Sequence, residues 1–112
     1  MSRPTSARER AALTAMLSVD FDGVEKYRAQ VETVRVSGTC GCGCLTIDFA
    51  HPGTKQGVTL LTEAYTDSAL IMLFANDGRL SCLEYAPLGD DVAMPDEFPL
   101  PPELQGITVE DD

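Results

Sequence analysis

The sequence predicts an α+β domain. Two N-terminal helices pack on one face of a mainly antiparallel four- or five-stranded sheet, in the order ααββββ, and an extended acidic, proline-rich tail follows. Three observations predict this. Apolar residues recur at helical spacing up to about residue 33. From Val34 to Tyr85 they fall into short β-rich runs bounded by turn residues. From Ala86 onward, Pro87, Pro95, Pro99, Pro101 and Pro102 rule out a regular interior strand or helix. A chain of 112 residues, 44% hydrophobic, is one domain on size grounds and can bury a core without staples. Residues 1–6 are expected to be disordered, 7–86 to form the domain, and 87–112 to form a partly docked tail.

The helices come first. Ser6-x-x-Glu9 reads as a capping box. Ala12, Leu13, Met16, Leu17 and Val19 then mark an inward face, while Arg8, Glu9, Arg10 and Thr14 fill the other, so a helix is expected over about 7–18. Asp20-Phe21-Asp22-Gly23 breaks it. Val24, Tyr27 and Val31 carry a second amphipathic helix, about 23–33.

In the β-rich part, Val34 and Val36 are apolar on even positions, and Leu45, Ile47 and Phe49 on odd ones. Strand side chains repeat every two residues, so a bulge, bend or turn between 37 and 44 must change which side faces inward. Gly38, Gly41 and Gly43 supply the backbone freedom. After the loop His51 to Gly57, a strand runs from Val58 to Tyr65. Ala69 to Ala75 is apolar on both faces, which suits a central strand. Asn76-Asp77-Gly78 is the strongest hairpin turn in the chain, and Arg79 to Tyr85 returns. In the tail, Leu88, Val92, Met94, Phe98, Leu100 and Leu104 are the residues able to clip it onto the domain.

Charge restricts the partners. The formal net charge is −10. Every Lys and Arg lies at or before Arg79, and nine acidic residues follow it with no basic one. A nucleic-acid backbone or an anionic membrane would repel such a chain. The acidic last third is read as a solvated tail or as an electrostatic docking segment. The N-terminal residues have no apolar stretch of signal-peptide length, and the longest apolar run is too short to span a bilayer. A cytoplasmic location is therefore expected, where cysteines are more often thiols, metal ligands or small core residues than disulfides.

The most unusual stretch is Cys40-Gly41-Cys42-Gly43-Cys44. As zinc or soft-metal ligands, Cys40, Cys42 and Cys44 need a fourth donor, which His51 or Cys82 could give. Fully extended, Cys40 and Cys44 would stand about 13 Å apart and could not share an ion. The glycines must fold the segment for that reading to hold. A strained Cys-x-Cys disulfide is a second reading. A third makes the segment a thin, close-packed bend, with cysteine acting as a small apolar residue. Cys82, among Leu80, Leu83 and Tyr85, reads as core. No catalytic triad or phosphate loop is present in the sequence. Asp48, Glu63 and Glu84 could share one sheet face.

Several pieces together resemble a family of small, uncharacterised single-domain bacterial proteins. They are the Glu9 to Leu17 helix, Asp20-Phe21-x-Gly23-Val24, Tyr27-Arg28-Ala29-Gln30, Cys40-Gly-Cys42-Gly-Cys44-x-Thr46-Ile47-Asp48, and Asp77-Gly78-Arg79-Leu80-Ser81-x-Leu83-Glu84-Tyr85. The resemblance spans roughly 7–104 and supplies no activity. The family commonly has proline where Asp22 and Leu45 stand, and no cysteine at position 82. The expected function is a non-enzymatic protein-interaction or regulatory module, with a protein partner or a homodimer. The alternative is a thiol site for zinc or another soft metal.

Overall fold

The described strands form one seven-stranded antiparallel sheet. The computed structural model describes residues 3–39, 47–49, 59–76, 78–88, 98–99 and 101–109. In chain order the elements are β1 (Arg3–Pro4), α1 (Ala7–Met16), α2 (Val24–Arg28), β2 (Arg35–Thr39), β3 (Ile47–Phe49), β4 (Thr59–Tyr65), β5 (Ala69–Asn76), β6 (Arg79–Pro87), a 3-10 turn (Pro101–Glu103) and β7 (Gln105–Val109). The spatial order is β1-β2-β3-β6-β5-β4-β7. Consecutive β4, β5 and β6 form a meander, β3 joins it at β6, and β7 returns to the outer side of β4.

The sheet is larger than the four or five strands expected. Both additions come from outside the span 7–86. Arg3 and Pro4 pair with Val36 and Arg35, and Pro4 is tolerated because β1 is an edge. In the tail, β7 begins only after the last proline, Pro102, where the bar to strand pairing ends.

The helical part is smaller than expected. α1 opens with the capping box: Glu9 N donates to Ser6 Oγ at 3.1 Å, and Ser6 N donates to Glu9 Oε1 at 2.8 Å. Folding back to cap buries Glu9, which sequence spacing places on the polar face. The second helix is the single turn α2, followed by turns to Thr33. β-Branched Val31, Thr33 and Val34 favour helix poorly there. Gln30 has another task. Its Nε2 donates to Gly78 O and its Oε1 accepts from Leu80 N, both at 2.9 Å, which clamps the tip of the β5–β6 hairpin. Arg28 ties the two helices: its Nε donates to Leu17 O, the C-cap of α1, at 2.8 Å. Its pair with Asp20 at 3.0 Å is exposed and adds little.

One core lies between the helices and one sheet face. Ala12, Leu13 and Met16 of α1, with Val24, Tyr27 and Val31, meet Ile47, Ile71, Leu73, Leu80, Leu83 and Tyr85. The expected inversion between the two apolar parities is present as a register shift in β2. Val36 pairs with Phe49, but Gly38 pairs with Asp48. The hairpin turn is where the sequence places it: Asn76 pairs with Arg79, and Gly78 has φ +77°. β5 is buried on its odd positions only. Leu70, Met72 and Phe74, on the other face, are half-buried.

The C-terminal part reaches into this core. Phe98 is 2% exposed and meets the Tyr85 ring edge to face, with centroids 6.0 Å apart. Arg8 Nε donates to Phe98 O at 2.8 Å. Leu104 is also buried, whereas Leu88 is exposed, and Val92, Met94 and Leu100 lie outside the described residues. No described helix is long and apolar enough to cross a membrane.

Candidate functional site

The expected metal ligands Cys40, Cys42, Cys44 and His51 lie outside the described residues. Their flanks are described. Thr39 and Ile47, on either side of 40–46, are cross-strand partners. Antiparallel partners stand about 5 Å apart. The ends of the cysteine segment are therefore held together rather than at the separation of an extended chain.

Cys82 is not in the core. It pairs with Asp48 on one side and Phe74 on the other, and it is half-buried on the face away from the helices. The sequence neighbours Leu80 and Leu83 do face the core. The register shift between Phe74 and Ala75 lets Leu80 and Leu83, three positions apart, share that side.

Asp48, Glu63 and Glu84 do share one sheet face. Met72 pairs with Glu84 on β6 and with Glu63 on β4, so those two carboxylates flank it two strands apart. That spacing is about 10 Å, beyond hydrogen-bond reach. Asp48 stands one strand further along, beside Cys82. Among the described residues, no group of three His, Cys, Asp or Glu is arranged to hold a metal ion. The face gathers the acids but does not join them.

A concave feature lies on the helix side, at the end of the sheet. A groove of about 740 Å³, open to solvent, runs between α1, the 3-10 turn and β7. Ala7, Ala11 and Ala15 form one wall at four-residue spacing. Pro101, Pro102 and Ile107 form the other. The arrangement follows from α1. Its large side chains, Leu13 and Met16, turn to the core, so the apolar residues it presents to the groove are all alanine. The prolines stiffen the facing wall by fixing φ. Arg10 also lines the groove, and its Nε is shielded from solvent with no hydrogen-bond partner. A donor shielded from solvent without a partner is costly.

The helical pattern read from the sequence does not single out these residues. The signal was present as Ala7-x-x-x-Ala11-x-x-x-Ala15. Alanine is too weakly hydrophobic to register beside the Leu and Met stripe. Comparison with family models, curated proteins and solved structures finds no match for the chain. The resemblance carried by the cysteine and Asp-Gly motifs accordingly brings no activity to this site.

Proposed function

We propose that the chain is a non-enzymatic protein-interaction module that docks a partner in the groove between α1 and β7. The groove itself is the observation that carries this reading. Its walls are small and apolar, and its polar content is concentrated in Arg10, Thr14 and Ser18. Such a surface suits a side chain or backbone segment of another protein.

Peptide display against the intact protein, followed by amide chemical-shift mapping, tests it. Selected sequences are expected to perturb Ala7, Ala11, Ala15 and Ile107. Ala11→Arg fills the groove from its outer wall, and it is expected to weaken binding by about tenfold with circular dichroism unchanged. Perturbations confined to other surfaces, or a turnover activity mapped to the cysteines, end the reading.

A second reading keeps the zinc or soft-metal thiol site of Cys40, Cys42, Cys44 and His51. The pairing of Thr39 with Ile47 favours it, because it brings the segment's ends together. Elemental analysis of protein purified in metal-free buffer, with a thiol titration, decides. Four titratable thiols and no bound metal remove it.

A further inference from the structure

The groove opens beside the last strand of the sheet. β7 bonds to β4 along one side, and among the described residues no strand lies on its other side. Gln105–Val109 contain no charge and no proline, two common devices that blunt an exposed edge. Val109 pairs with Thr62, whose side chain is buried on the helix side, and Thr108 pairs with Glu63 on the open face. Ile107 shares the side of Val109 and enters the groove. Among the described residues, an unpaired backbone edge and an apolar channel therefore adjoin. Extended peptides bind at such junctions, bonding main chain to the edge and sending alternate side chains into the channel.

Charge then selects the occupant. Glu63 stands across from Thr108, Asp67 Oδ1 accepts from Gln105 Nε2 at 3.4 Å, and Glu103 precedes the strand. Glu110, Asp111 and Asp112 follow it in sequence. A second copy paired antiparallel through β7 would set the Glu103 end of one strand beside the Val109 end of the other, which acidic residues follow in sequence. Like charges there are unfavourable, whereas lysine or arginine is favoured.

Taking the groove as a docking site, we infer that its occupant is an extended segment of a partner protein with basic flanks, added as a further strand along β7. Its apolar side chains fill the channel beside Ile107.

The test uses the full chain and two short peptides of alternating valine and threonine, one capped with lysines and one with glutamates. Amide hydrogen exchange is read by NMR. With the lysine-capped peptide, amides in 105–109 are expected to gain about tenfold protection or more. The glutamate-capped peptide is expected to bind about tenfold more weakly or worse. N-methylation of alternate peptide nitrogens, which leaves the protein untouched, is expected to abolish binding.

Each other result overturns something definite. Binding that perturbs Ala11 and Ala15 without protecting β7 overturns strand addition and leaves docking intact. Equal binding of both peptides overturns the charge argument. Protection of β7 that rises with protein concentration, without peptide, overturns the basic partner in favour of a second copy. Failure of both peptides while display-selected sequences still bind the groove overturns the extended basic occupant alone. Failure of display as well overturns both proposals.

Discussion

The middle of the sheet and its β7 edge are held by different means. β5 and β6 pair along their whole length, from Ala69 with Pro87 to Asn76 with Arg79. They are joined by a two-residue turn that adjacent residues dictate, and Gln30 clamps the tip. β7 meets β4 only at Thr62, Glu63 and Tyr65, across a register shift, and its partner lies some forty positions away in sequence. A strand closed by a local turn forms early and holds its partner. A strand recruited from a distance must first meet a loop-closure cost. The difference places stability in the centre and leaves β7, among the described residues, paired on one side only.

The largest test of this contrast is Phe98→Ala. Phe98 belongs by sequence to the acidic tail, but it packs against Tyr85 on the central strand β6. If the tail is anchored to the centre there, the variant is expected to lose about 3–4 kcal/mol of global stability in a denaturant titration. A loss below about 1 kcal/mol would mean that the tail rests on the domain without sharing its core.

Gly106→Ala acts at the edge. Gly106 has φ +61°, and a Cβ there would lie 2.8 Å from Tyr65 Cε2. The left-handed backbone costs alanine about 1–2 kcal/mol. The steric part is smaller, because the Tyr65 ring is 49% exposed and can swing outward. Amides of 105–109 are expected to exchange faster while those of β5 and β6 keep their protection. Uniform loss of protection across the sheet would show that edge and centre unfold as one unit.

The same contrast explains what the sequence made legible. The capping box of Ser6 and Glu9, the turn at Gly78 and the register change near Gly38 each depend on a few adjacent residues. All three are where the pattern predicts them. β7 was hidden because Pro87 to Pro102 dominate the tail, although Ile107-Thr108-Val109 has β-branched composition. Its pairing with β4 is a long-range event that no local window contains. The groove was hidden for a related reason. Its walls come from residues 7–18 and 101–107, and Ala7, Ala11 and Ala15 mark it by lacking bulk. The candidate ligands Cys40, Cys42, Cys44 and His51 lie outside the described residues, and what is placed is the cross-strand pair Thr39 and Ile47 that flanks 40–46.

The smallest expected effect lies on β4, the strand between the two regions. Thr62 is fully buried on the helix side, level with Leu73 of β5 and Val109 of β7, and its hydroxyl has no hydrogen-bond partner. Valine has nearly the same shape and needs none. Thr62→Val is therefore expected to raise stability by about 1 kcal/mol, visible as a higher denaturant midpoint at unchanged slope. Thr62 is registered with both neighbours, so exchange data on this variant also say which region β4 belongs to. Added protection confined to β5 and β6 assigns it to the centre. Added protection that extends to 105–109 would couple the edge to the centre through β4, and strand binding at β7 would then be felt across the sheet.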